Sequence, residues 1–280
     1  MQITPVQHIG HYWFKRDDLF MPFDFSPANG SKLRQGMLLC EKNMIQVKKG
    51  IYTGTSIHSP QAVICASLAR YYNVPCVIVY GGTNEAALLY NRYAQLCARL
   101  GARIEVCKSG RTSVVSSHAE RFAQETNGFN VRYGFDLRNN ADVFIGSVAE
   151  QAQNIPDNLD YLVITVGSAI TITGVLFGLT IYNKHVRNVI AVGCAPNRMQ
   201  KIQEYACIIK EQTGYTLPLE LVSYQDCYAR LKGYKYEDTQ RAEYFGMTFH
   251  PRYEAKTFNF MQRYLSKDAR TLMWITGHEL

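Results

Sequence analysis

No apolar run in these 280 residues approaches the roughly 18 that a membrane-spanning helix needs. The opening stretch, MQITPVQHIGHYWFKRDD, also lacks the basic-then-apolar order of a secretory signal. The expected location is therefore the cytoplasm, with no membrane partner. None of the eight cysteines (Cys40, Cys65, Cys76, Cys97, Cys107, Cys194, Cys207 and Cys227) forms a C-x-x-C pair. No Cys/His group has zinc-ligand spacing either, so no metal site is expected. Most of these cysteines lie in apolar runs such as AVICASLA and PCVIVY, which reads as buried free thiols. An Asn-Gly-Ser at 29–31 fits a glycosylation sequon, but nothing marks secretion. Internal repeats and low-complexity tracts are absent, which excludes a solenoid. Net charge is +7, yet no basic run is longer than Lys48-Lys49. Scattered positive charge reads as a solvated basic surface. It also allows an anionic partner: a phosphorylated cofactor, an acidic substrate or nucleic acid.

From residue 50 onward, apolar strands alternate with amphipathic helices. GIYTGTS, VPCVIVYGG, ARIEVC, NVRYGF, DYLVITVGS, VRNVIAVGCAP and TLMWIT read as strands. SPQAVICASLARYY reads as a helix with Pro60 in its first turn. NEAALLYNRYAQLCARLG reads as one helix, capped by Asn84 and stopped at Gly101. SSHAERFAQETNG, ADVFIGSVAEQAQNI, TITGVLFGLTIYN and NRMQKIQEYACIIKEQTG complete the helices, and the tyrosine-rich stretch 228–246 reads as a mobile connection or as a helix with an irregular lead-in. Such alternation predicts an α/β fold: open, mostly parallel twisted sheets flanked by helices. Ligands on such sheets sit at the carboxyl ends of the strands.

Four stretches carry candidate chemistry. TVGSAITITG, 165–174, runs from a strand into a helix; its backbone amides and the hydroxyls of Ser168, Thr171 and Thr173 make an anion cradle. It matches neither a Walker A loop nor G-x-G-x-x-G. In TGTSIHSPQAV, 53–63, four hydroxyls, His58 and Gln61 precede or open a helix, suiting a carboxylate. Plain helix capping by Ser59 explains the same residues. In GMTFHPRYEAKTFNFM, 246–261, Tyr253 and Glu254 open a helix, as an acid–base pair or as a cap beside a core aromatic. In ANGSKLRQG, 28–36, Lys32 stands where a loop turns into a helix. The positive end of the helix dipole discourages an ammonium there. A lysine that attacks a carbonyl must be neutral, so that discouragement suits an imine-forming lysine.

Taken together and in order, these stretches resemble pyridoxal-phosphate (PLP) enzymes of the tryptophan-synthase-β fold, fold type II. The nearest branch is that of aminocyclopropane-carboxylate deaminase and D-cysteine desulfhydrase. WFKRDDLF…NGSKLRQG resembles that branch's Lys-Arg-(Asp/Glu)-Asp-Leu segment and its Gly-Asn-Lys-x-Arg, with Ser31 for the usual asparagine. SIHSPQ resembles its Ser-Asn-(Gln/His) helix start, VGSAITITG its Gly-Ser-Gly-Gly-Thr phosphate loop, and FHPRYEAK its Asp-Pro-x-Tyr-(Glu/Thr)-Gly-Lys. WITGHEL resembles its His-Thr-Gly-Gly. The likeness spans residues 12–278.

The resemblance implies a homodimeric PLP lyase acting at Cα of an amino-acid substrate, by deamination, elimination or decarboxylation. Lys32 would be the Schiff-base lysine. Gly167, Ser168, Ala169, Ile170 and Thr171 would carry the phosphate, with Thr173 and Gly174 close by. Glu254 would face the pyridine nitrogen, and Thr276 and Gly277 would lie beside the ring. Tyr253 and Ser59 would be catalytic groups near the substrate, with Ser56, His58 and Gln61 as further substrate contacts. Residues 1–45 and 145–280 would form the large cofactor domain, and 46–144 a smaller domain closing on the substrate. This sequence departs from the pattern at Pro60 (an asparagine in the family), at Ala169 and Ile170 (two glycines) and at His278 (a glycine). Compact phage relatives of this family decarboxylate amino acids attached to modified thymine in DNA. Under that alternative the basic surface would contact DNA, in the host cytoplasm. A non-catalytic ligand-binding relative is the remaining alternative.

Overall fold

The structure is a computed structural model that describes residues 2–135, 141–194, 196–227, 234–235 and 238–278. Its strands are β1 (Val6–Ile9), β2 (Tyr12–Arg16), β3 (Ile51–Ser56), β4 (Cys76–Gly81), β5 (Arg103–Cys107), β6 (Phe129–Val131), β7 (Leu159–Val166), β8 (Val186–Gly193), β9 (Val222–Asp226), β10 (Glu243–Tyr244), β11 (Met247–Thr248) and β12 (Thr271–Ile275). Its helices are α1 (Gly30–Lys42), α2 (Met44–Val47), α3 (Gln61–Tyr72), α4 (Glu85–Leu89), α5 (Arg92–Arg99), α6 (Thr112–Thr126), α7 (Ala141–Ala149), α8 (Ile170–Ile181), α9 (Met199–Thr213) and α10 (Glu254–Tyr264). These elements fall into two compact units, residues 1–20 with 137–279 and residues 21–136. No helix among the described residues is long and apolar enough to cross a membrane.

The first unit is built on a six-stranded sheet in the order β1-β2-β12-β7-β8-β9. Only the β1–β2 hairpin is antiparallel. One face packs Phe14, Val163, Met273 and Ile275 against Phe249, Phe258 and Met261, the last two from α10. A fully buried Phe such as Phe258 contributes about 2–3 kcal/mol by burial alone. Helix α8 is apolar around its whole circumference because it is enclosed. Gly174 lies against Val148 and Gly178 against Ala149 and Ala152, at separations where an added Cβ would come within 2.5–2.6 Å. At the carboxyl end of β2, between β1 and β12, the Lys-Arg-Asp-Asp segment forms a clasp. Asp17 accepts from the Trp274 indole at 3.0 Å and from Thr4 Oγ1 at 2.6 Å, while Arg16 pairs with Asp18 at 2.7 Å. Those bonds fix where β12 ends. The stretch 228–246 lies partly outside the described residues, and its described part includes β10, paired antiparallel with β11.

The second unit carries a wholly parallel four-stranded sheet, β5-β4-β3-β6. Helix α6 lies close on it because Gly54 and Gly81 leave room; a Cβ at Gly54 would meet the Val115 carbonyl oxygen at 2.6 Å. The segment 21–45 lies in this unit. Gly36 of α1 nestles against Ile64 and Leu68 of α3, and the Ser26 and Ser67 hydroxyls meet at 2.6 Å. The single helix expected over 84–101 is two helices. Asn84 caps the first, as expected, by accepting from the Ala87 amide. Asn91 interrupts it and caps the second, accepting from the Ala94 amide at 2.9 Å and donating to the Ile57 carbonyl at 3.0 Å. None of the eight cysteines is in a disulfide, and six of them are buried, as expected for most; Cys207 is exposed on α9 and Cys227 half-buried.

Candidate active site

In the first unit the loop Gly167-Ser168-Ala169 leaves the carboxyl end of β7 and enters α8. Ala169 takes the left-handed conformation at φ 70°, a position that glycine fills without strain. The first turn of α8 holds no acidic side chain, and its leading amides have no partner within the helix. Thr173 bonds back to the Ala169 carbonyl through both its amide (3.2 Å) and its hydroxyl (2.8 Å), so its hydroxyl braces the turn. Ser168 and Thr171 are half-buried, Ile170 is buried, and Gly167 borders open space. The result is a cradle for an anion, formed by backbone amides and the positive end of a twelve-residue helix.

Next to β7 in the sheet, β12 ends at Ile275 and delivers Thr276. Both the Thr276 amide (3.3 Å) and its hydroxyl (2.5 Å) donate to Oε1 of Glu254, the first residue of α10. Glu254 is 1% exposed. Burial pushes its carboxyl up to about 7, against the lowering effect of the Thr276 hydrogen bonds, and the charge of Asp18 pushes the same way as burial. A carboxyl that titrates near neutrality thus stands one strand away from the anion cradle. The pair fits a cofactor with a phosphate at one end and a basic ring nitrogen at the other.

Tyr253 precedes Glu254 as the N-cap of α10, half-buried, its ring centroid 4.7 Å from that of His250. Gly277 and His278 follow Thr276 and are half-buried. Three further groups gather here that sequence reasoning did not single out. Lys256 is buried, which pulls its ammonium below the usual range; its Nζ donates to the Tyr234 hydroxyl at 2.8 Å, and that hydroxyl donates to the Cys194 carbonyl at 2.9 Å. Cys194, at the end of β8, is a thiol that burial pushes up to about 12. Arg198 donates from Nε to the Gly167 carbonyl at 3.2 Å. The available signal for Cys194 and Arg198 was position alone: both follow the carboxyl end of a parallel strand.

In the second unit, Lys32 lies in the first turn of α1, half-buried, two residues after Gly30 at φ 83°. The β3–α3 turn holds Ser56, exposed, and His58 and Ser59, half-buried. The Ser59 amide donates to the Ser56 carbonyl at 3.1 Å, and its hydroxyl accepts from the Gln61 amide at 3.3 Å, just ahead of α3, whose N-cap is Pro60. Gln61 is 1% exposed. Its side-chain NH2 donates to Thr53 Oγ1 (2.8 Å) and the Arg132 carbonyl (3.1 Å), and its carbonyl oxygen accepts from the Gly134 amide (3.0 Å). That amide group links β3 to the chain after β6 and is engaged within the unit. Lys32 and the Ser56–Gln61 turn thus belong to one unit, and the cradle, Tyr253, Glu254 and Thr276 to the other.

An open, largely parallel sheet with a helix-capped anion loop beside a buried carboxyl defines a class: α/β enzymes that hold a phosphorylated pyridine cofactor at their strand ends. Residues 4–218 match the family described as pyridoxal-phosphate dependent enzymes, and the chain belongs to that family; its cofactor is pyridoxal 5'-phosphate. The chain is 24% identical to the O-seryl-dTMP PLP-dependent decarboxylase of Salmonella phage ViI, across 95% of this chain and 77% of that protein. It is 26% identical to a Pyrococcus furiosus protein that bears the name of a 1-aminocyclopropane-1-carboxylate deaminase, across 79% of this chain and 71% of that one. Among solved structures, an ACC deaminase homologue superposes with a TM-score of 0.79 at 19% identity, over 99% of this chain and 90% of that one. Threonine deaminase isoform 2 of Solanum lycopersicum gives a TM-score of 0.65 at 14% identity, over 100% and 80%. These likenesses show fold type II, in agreement with the sequence reading.

Proposed function

We propose that the chain is a PLP-dependent lyase acting at Cα of an amino-acid group, that Lys32 carries the cofactor, and that the bond broken joins Cα to its carboxylate. The observation that carries the cofactor geometry is Glu254, buried and held by Thr276 beside the cradle. When bound, the cofactor supplies an electron-withdrawing ring that accepts the charge left at Cα. The residues of the chain supply the rest. The amides of the 167–171 loop bind the phosphate. Glu254 would face the ring nitrogen and favour a proton there, and Thr276 fixes the carboxyl's orientation. Lys32 Nζ returns a proton to Cα, and the Tyr253 hydroxyl stands near the substrate. Ser56, His58 and Ser59 line the substrate side, and Gln61 keeps their turn in place. The similarity to the phage decarboxylase over 95% of the chain supports decarboxylation, and with it a substrate whose amino-acid group is attached to a thymidine nucleotide. The +7 charge suits such an anionic carrier.

A second reading is deamination of a free amino acid, favoured by the similarity to the Pyrococcus protein. One experiment separates the two. The holoenzyme is incubated with seryl-modified thymidylate and, separately, with free amino acids, and CO2 and ammonia are measured. CO2 from the nucleotide with no ammonia supports the proposal. Ammonia and a keto acid from a free amino acid, without CO2, support the second reading. No product in either case, with no visible cofactor absorbance, moves the non-catalytic reading to the front.

A further inference from the structure

One side chain from outside the phosphate loop holds it. Arg198 caps the N-terminus of α9 and donates from Nε to the Gly167 carbonyl at 3.2 Å. Arg198 is itself held, since its backbone amide donates to the Tyr224 hydroxyl at 3.1 Å. Tyr224 stands on β9 with its ring over Gly193, where an added Cβ would come within 2.3 Å of the Tyr224 hydroxyl oxygen. The Cys194 amide donates to the Val166 carbonyl at 3.1 Å. The carboxyl ends of β7, β8 and β9, adjacent in the sheet, are thus tied together around the peptide joining Gly167 to Ser168.

A trans peptide is planar, and its C=O and N–H point in opposite directions. The described chain has no cis peptide. Fixing the Gly167 carbonyl therefore fixes the direction of the Ser168 amide. This peptide needs an anchor, because Gly167 has no side chain to restrict it and open space around it. The residue after it but one, Ala169, is already left-handed. We propose that Arg198 is a positioning residue for the cofactor phosphate: by holding the Gly167 carbonyl it aims the Ser168 amide into the cradle. The inference rests on the reading that the 167–171 loop takes that phosphate.

The test titrates the full-chain apoprotein with pyridoxal phosphate and with pyridoxal, which lacks the phosphate, following cofactor absorbance. Arg198→Met, which keeps a long side chain without a donor, is expected to weaken pyridoxal phosphate binding about tenfold and leave pyridoxal binding unchanged. Arg198→Lys, which keeps a charged donor, should recover most of the loss. A role confined to folding would lower both affinities together, along with thermal stability, and that result overturns the proposal. So does a methionine variant that keeps the wild-type preference for the phosphorylated form. If the wild type itself shows no preference for that form, the reading of the loop as the phosphate site fails as well.

Discussion

Replacing Glu254 by glutamine should remove a specific pH dependence of stability. In the folded protein its carboxyl is raised from 4.5 to about 7, chiefly by burial. Between those values the folded chain binds a proton that the unfolded chain has released. The Glu254 contribution to stability is therefore full below about pH 4.5, declines as pH rises through about 7, and is lost above. The shift spans about 2.5 pH units, and each unit corresponds to about 1.36 kcal/mol, which gives a ceiling of about 3 kcal/mol. Relaxation around the carboxylate makes about 2 kcal/mol a working expectation. Glutamine keeps an oxygen for the two Thr276 donors but cannot ionise. Both tryptophans, Trp13 and Trp274, belong to the unit that holds Glu254, so tryptophan fluorescence reports on its unfolding. Urea unfolding of the apoprotein from pH 5 to 8 should show wild-type stability falling relative to Glu254→Gln. If the cofactor binds as proposed, its cationic ring nitrogen would lie beside the carboxyl and should lower its pKa, flattening the curve. A wild-type-minus-variant difference that stays constant across this range would refute the assignment of a neutral-range carboxyl to Glu254.

Other perturbations have equally definite outcomes. Ala169→Gly relieves a left-handed alanine and should stabilise the protein by about 0.5–1 kcal/mol in thermal unfolding; a loss of stability would show that the alanine is not strained. Gln61→Ala removes the partners of Thr53, Arg132 and Gly134 and should cost about 2–4 kcal/mol, seen as early exchange of β3 and β6 amides. A variant with full stability but a raised KM would instead make Gln61 a direct substrate contact. Asn91→Ala removes the cap of α5 and should cost about 1 kcal/mol, whereas an unchanged midpoint would mean that the cap bond is idle.

Much of this architecture was legible because parallel strands buried on both faces read as apolar runs, and the helices between them have clear periodicity. VITVGSAITITG showed both a strand end and a helix start, and β7 ends and α8 begins within it. What escaped depended on contacts between distant residues. Asn91 resembles any polar residue on a helix until its side chain is seen bridging Ile57 and Ala94. The bonds of the Gln61 amide to Arg132 and Gly134 depend on the chain after β6, which no local pattern brings next to it. Arg198 comes 31 residues after the carbonyl it holds, on the far side of a strand, and no local pattern links the two. The short edge strand β9, interrupted by polar residues, gave no alternation strong enough to mark it.

The central claim is that Lys32 carries the cofactor. It has a rival on purely electrostatic grounds: Lys256 is buried, with its ammonium pulled down by that burial. Borohydride trapping of the holoenzyme, followed by peptide mass spectrometry, decides between them. The account predicts a pyridoxyl adduct on the peptide containing Lys32, lost in Lys32→Ala. An adduct on Lys256, or one that survives Lys32→Ala unchanged, would contradict it.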